Sequence, residues 1–218
     1  LVIPRTDKNS KIYAPIALDM GLMITHHHAE PLGAEMFLRA YPDLEPSYLK
    51  YKDLFEGLWK DAIERQKNEE VIWNIGFRGQ GDVPFWENDP AYDTSEKRGS
   101  LISNIMQEQY DMIREQIQGA VCCTNLYGEI LELYRDGHLQ IPEDVIMIWA
   151  DNGYGKMVSR RQGNHNPRVP ALPEKGDKGL QGTYYHVSFY DLQAANHITM
   201  LPNSMEFVEK ELNNAMDH

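Results

Sequence analysis

The chain has no run of basic residues, no long apolar stretch and almost no cysteine. Lysine and arginine together number 21 against 33 aspartates and glutamates, a net charge of −12. An acidic surface repels phosphate backbones, which argues against nucleic acid as a partner. Nothing approaches the roughly 18 consecutive apolar residues of a membrane-spanning helix. The two cysteines, Cys122 and Cys123, are adjacent. Neighbours in the chain rarely reach the geometry of a relaxed disulfide, so both are expected reduced, inside a strand. They give no argument for export. No secretory leader is visible and the first residue is not Met, so localisation stays open between cytoplasmic and exported. Internal repeats and low-complexity segments are also missing.

What remains is an ordinary globular mixture, 25% charged and 42% hydrophobic over 218 residues. That length suits one domain spanning residues 1–218. The stretch at 156–182, rich in Arg, Asn, Pro, Lys and Gly, is the single candidate for an excursion or boundary.

Residues 71–86, VIWNIGFRGQGDVPFW, are the most informative stretch. β-branched and aromatic residues without charge predict a strand. It runs into Arg78, Gly79, Gln80, Gly81 and Asp82, a glycine-paired loop presenting a cation and an acid four positions apart. In an α/β barrel the chemistry sits at the C-terminal ends of the strands. A surface ion pair explains the same two residues equally well. Phe85 and Trp86 read either as a sugar-stacking wall or as core.

Before this stretch, LMIT predicts a short strand ending in His26, His27 and His28, followed by Glu30 and Pro31. If the alternation continues, His26, His28 and Glu30 share one side. Three readings stay open: polar contacts to a substrate, a structural histidine with solvated neighbours, or a metal site in which His26 and His28 join an acid such as Asp82 or Asp151. Residues 44–67 predict a helix with Tyr51, Leu54, Phe55, Leu58, Trp59 and Ile63 on one face. A polar loop at 87–97 is long enough to reach over a site.

A second amphipathic helix is expected at 100–118, with Ile102, Ile105, Met106, Gln109 and Ile113 on one side. A buried strand at 120–126 and a helix at 128–136 follow. Glu129 opens that helix, where the helix dipole alone favours an acid. Val145–Ala150 predicts a fourth strand ending in Asp151, Asn152 and Gly153. Residues 182–191 predict a fifth, with Tyr184, His186 and Ser188 on one side. A last helix is capped by Ser204 and buries Phe207, Val208 and Leu212. This rhythm implies an α/β fold with a parallel sheet, about five strands and so an incomplete (β/α) barrel-like (partial TIM-barrel) architecture.

Five segments, MGLMITHHHAEPLGAEMF at 20–37, IWNIGFRGQGD at 72–82, LYGEILELY at 126–134, IWADNGYG at 148–155 and GTYYHVSFYD at 182–191, resemble in order and spacing the catalytic domain of glycoside hydrolase family 115. The resemblance implies an α-glucuronidase releasing glucuronic acid or its 4-O-methyl ether from glucuronoxylan side chains, with inversion and without a cofactor or metal. It implies Asp82 and Glu129 as the catalytic carboxyls. It implies Arg78, Asn152, His186, His27, His28 and Glu30 as substrate-binding residues, with Asp151 a further candidate. Gln80 departs from the family pattern, where an acid is common. Family members are much longer, so a catalytic-domain portion is expected, its open apolar edges favouring a homodimer. The alternatives are a metal-dependent barrel hydrolase built on His26 and His28, and a carbohydrate-binding fragment without turnover.

Overall fold

The computed structural model describes residues 2–3, 10–81, 83–87, 89–159, 169–186, 188–190 and 200–216. Asp82 and Arg160 lie outside these residues. Two compact units result, one of Leu1–Thr124 with His138–Val145, the other of Asn125–Gly137 with Ile146–His218.

In the first unit, strands β1 (Val2–Ile3), β2 (Ile24–His26), β3 (Val71–Asn74) and the start of β4 (Val121–Leu126) are successive parallel neighbours. Their register pairs Thr25 with Val2 and Ile72, and Trp73 with Cys122. Helix α1 (Ser10–Asp19) precedes β2, and the single turn α2 (Phe37–Ala40) follows it. Helices α3 (Tyr48–Gln66) and α4 (Ser95–Gln116) make the crossovers before β3 and β4. Hydroxyl caps set where both begin: Ser47 Oγ accepts from the Lys50 N–H and Thr94 Oγ1 from the Lys97 N–H. α4 thus starts ahead of the expected residue 100. The predicted apolar faces are the buried ones: Phe55, Trp59 and Ile63 on α3, and Ile102, Ile105, Met106 and Ile113 on α4. Cys122 and Cys123 are free and buried in β4. Burial pushes their thiols up to about 12 and about 11.

The second unit holds α5 (Glu129–Arg135), then β5 (Ile146–Ala150) and β6 (Gln181–Tyr184), which are parallel neighbours. The expected strand at 182–191 is in fact two pieces. β6 ends at Tyr184, and β7 (Ser188–Tyr190) pairs antiparallel with β8 (Met200–Pro202). Helix α6 (Met205–Met216) closes the described chain, with the Phe207 N–H donating to Ser204 Oγ as its capping position requires. Arg135 fastens the 169–179 segment to α5. It donates to both Asp177 oxygens and to the Leu172 carbonyl, and lies 4.5 Å from the Trp149 ring centroid.

Strand–helix alternation with parallel pairing makes this an α/β fold of the incomplete (β/α) barrel-like kind. Among the described residues the parallel strands number four in the first unit and two in the second. A closed barrel needs eight.

Candidate active site

β2 stops at His26, and the chain then turns, with the Glu30 N–H donating to the His27 carbonyl. The alternation expected through His28 and Glu30 therefore breaks, and the three histidines part company. His26 is buried, its Nε2 2.6 Å from Gln66 Oε1. Gln66 in turn donates to the Leu32 and Ala62 carbonyls. With its amide nitrogen so engaged, Gln66 offers only its oxygen, and His26 Nε2 must carry the proton. A Cβ on Gly33, at φ +66°, would lie 2.5 Å from the His26 ring. His26 is thus a structural histidine, and the pairing of His26 with His28 as ligands of one metal loses its basis. Among the described residues no group of His, Cys, Asp and Glu is arranged to hold a metal ion.

His27 and His28 stay half-buried, with ring centroids 4.0 Å apart. The His27 carbonyl accepts from Asn74 Nδ2, which ties the turn to the end of β3. Arg78 Nη1 stands 3.4 Å from His28 Nε2. A guanidinium only donates, so His28 Nε2 is the acceptor. Gly76 is gripped on both sides by one α4 side chain: Gln109 Oε1 accepts from its N–H at 2.8 Å and Gln109 Nε2 donates to its carbonyl at 3.1 Å. Beyond it the Gly79 N–H donates to the Val83 carbonyl, closing the tight turn the glycines foretold. Gln80 Oε1 accepts from the Leu38 N–H. A pocket opens here, lined by Arg78, Glu30 and Gln80 on its polar side and by Phe37, Trp59 and Phe77 on its apolar side.

Of the two readings of Phe85, the core one holds. Phe85 is core, 3% exposed and packed between Phe77 and Tyr92, because its ring fills the aromatic cluster around Tyr48 and Phe55. Trp86 carries the Arg98 guanidinium 4.3 Å from its ring centroid. The polar loop after it is anchored at one point. Asp89, buried, accepts from Ser47 Oγ and from the Tyr48 N–H at the start of α3.

The second unit carries the other candidates. Glu129 is the first residue of α5, half-buried, directly after Gly128. Glu132, one turn on, accepts from Ser159 Oγ at 3.2 Å. After β5, Asp151 is fully buried and faces His186 across 2.5 Å, Oδ1 to Nδ1. Its Oδ2 accepts from the Gly155 N–H. An ionised carboxylate only accepts, so Nδ1 carries a proton and the His186 ring is oriented. Asn152 Oδ1 accepts from the N–H groups of Tyr154 and Lys156. The Tyr184 ring lies 4.9 Å from that of His186.

Two residues that shape these loops carry their signal openly in the sequence. Gln109 and Glu211 are polar residues on the apolar stripes of α4 and α6, and both are buried. Polar side chains do not sit on such stripes without a hydrogen-bonding task.

In each unit, cations, histidines or amides follow the C-terminal ends of parallel strands, as in (β/α) barrel-type folds. The chain belongs to glycosyl hydrolase family 115, whose family model matches residues 4–218. No curated protein matches. One solved structure that matches, with a TM-score of 0.75 and 22% identity, is described as a family 115 4-O-methyl-α-glucuronidase with specificity for decorated arabinogalactans. The match covers 94% of this chain and 26% of that one, so the present chain spans about a quarter of that relative's length. Identity at this level speaks for the fold alone.

Proposed function

We propose that this chain is the catalytic portion of a glycosidase that releases glucuronic acid, or its 4-O-methyl ether, from a polysaccharide side chain. The family match across residues 4–218 carries this reading. The positions of Arg78, Glu129, Asn152 and His186 just beyond strand ends support it. The reaction is inverting, a class in which one carboxylic acid protonates the leaving oxygen while a carboxylate activates water on the opposite face, and in which the two carboxyls generally stand about 6.5–9.5 Å apart. Asp82 is the acid, and Glu129 is the base or positions the water. Arg78 binds the substrate carboxylate through its fork of donors. His27, His28 and Glu30 line the same approach. Asn152 and His186 bind sugar hydroxyls, and Asp151 acts through His186 rather than by touching the sugar, since its oxygens face His186 and Gly155.

Two polymers deserve trial. Glucuronoxylan is the substrate the sequence motifs suggest. A decorated arabinogalactan is favoured by the specificity of the solved relative. Released glucuronic acid is measured on both with the protein at its natural full length, alongside Asp82→Asn and Glu129→Gln. Each variant is expected to lose about a thousandfold or more in kcat, as removal of a general acid or base does. Near-normal release by either variant removes that residue from the mechanism, and turnover of neither polymer by the parent protein rejects the glycosidase.

A further inference from the structure

Helix α6 returns a buried acid onto the loop that follows β5. Glu211 is 2% exposed and shares its helix stripe with Phe207 and Val208. Its Oε1 accepts from Lys156 Nζ at 2.6 Å, and its Oε2 accepts from the Met157 N–H at 2.9 Å. The same loop is braced from two further directions. Inside it, Asn152 Oδ1 accepts from the Tyr154 and Lys156 N–H groups, and the Asn152 N–H donates to the Lys156 carbonyl at 3.0 Å. From the segment ahead of α6, Asn203 packs against Gly155, where an added Cβ would stand 2.0 Å from Asn203 Nδ2. Gly155 has φ +81°, so the bend and the close approach both require glycine. Asn203 Nδ2 also donates to the His186 carbonyl at 3.0 Å.

Helix packing does not need this arrangement. An apolar residue at position 211 would pack as well and avoid the desolvation of a carboxylate, which a buried ion pair seldom more than offsets. What the pair adds is direction. Holding Lys156 and Met157 holds the N–H of Lys156 in place, that N–H fixes Asn152 Oδ1, and a fixed Oδ1 decides where Asn152 Nδ2 points.

We propose that Glu211 is a positioning residue for the site, setting the Asn152 amide through the Lys156–Met157 loop. The proposal rests on the reading that Asn152 binds the sugar. The test is a double-mutant cycle in the full-length protein, using whichever glucuronate-decorated polymer it cleaves faster. Glu211→Ala is expected to raise KM about tenfold with kcat nearly unchanged, the signature of lost binding rather than lost chemistry. Glu211→Ala combined with Asn152→Ala is expected to match Asn152→Ala alone within about twofold, because residues acting as one unit are not additive. Glu211→Gln, which keeps the bulk and one acceptor, carries the same cycle if the alanine variant does not fold. In either variant the Lys156 and Met157 amides should exchange faster with deuterium. Costs that multiply, or unchanged exchange at those amides, overturn the proposal and leave the site reading intact. An Asn152→Ala variant with unchanged KM overturns the site reading, and the proposal with it.

Discussion

The strand ends of the two units are held by different chemistry. After β2 and β3, neutral amides do the holding: Gln66 fixes His26, Asn74 fixes the His27 carbonyl and Gln109 brackets Gly76. After β5 and around α5, carboxylates take the larger share. Asp151 holds His186 and Gly155, Glu211 holds Lys156 and Met157, and Asp177 holds Arg135, Tyr134 and the Glu174 N–H. An amide offers a donor and an acceptor that no proton uptake changes across the ordinary pH range. A carboxylate accepts strongly, but only while ionised. The amide clasps after β2 and β3 are therefore insensitive to acid, and those made by Glu211 and Asp177 in the second unit are lost in it.

The most forceful way to break this contrast is to give the first unit the second unit's chemistry. Gln109→Glu keeps the shape but turns the donor facing the Gly76 carbonyl into a second acceptor. At neutral pH the cost is about 1–3 kcal/mol, that of an unsatisfied buried polar group. The new carboxyl's pKa is raised in the folded state, so the variant loses stability as pH rises past the unfolded value and recovers it in acid, when the protonated acid donates again. Urea titrations at pH 4 and pH 7 check this. A variant equally stable at both, relative to the parent, would mean the amide pairing contributes little.

A gentler test uses the parent protein. Burial alone would raise the Glu211 carboxyl, but Lys156 and the Met157 N–H outweigh it and hold it below the usual range. Asp177 is likewise pushed up by burial and brought below its usual range by Tyr134, the Glu174 N–H and Arg135. Groups lowered in this way contribute stability above their unfolded values, about 4, and lose it as pH falls through the folded ones. Amide protection at Met157 and Glu174 should therefore fall below about pH 4, while Gly76 stays protected. Loss at Gly76 first would reverse the comparison.

The smallest expected effect is none at all. Cys122 and Cys123 lie in the part of β4 that belongs to the first unit, with thiols raised by burial. A disulfide probe that reacts in acid should label neither at a pH where the second unit has loosened, and both in concentrated urea.

The long helices were legible because their signal is local. Phe55, Trp59 and Ile63 repeat within one helix, as do Ile102, Ile105 and Met106, and each set needs nothing beyond its own turns to be read. The parallel α/β class followed from their alternation with apolar runs. Contacts between distant residues were not legible. His26 meets Gln66 across 40 positions, and Gly76 meets Gln109 across 33. No pattern in HHH distinguishes the histidine that turns inward from the two that stay near the surface. Phe85 and Trp86 read as a pair, yet only the Phe77 cluster decides that the first is core. The break between β6 and β7 escaped notice because GTYYHVSFYD has strand composition throughout, and pairing with β8 is what divides it. Of the two proposed carboxyls, Glu129 lies where the sequence put it, at the first turn of α5, and Asp82 falls outside the described residues.

The clasp on Gly76 also sets where motion can start. One glutamine occupies both polar atoms of that peptide position, as a neighbouring strand would, so the backbone as far as residue 76 travels with α4. Any opening or closing of the arginine-bearing segment must begin after this point. Arg78 lies only two residues beyond it, a tether too short for a sweeping lid.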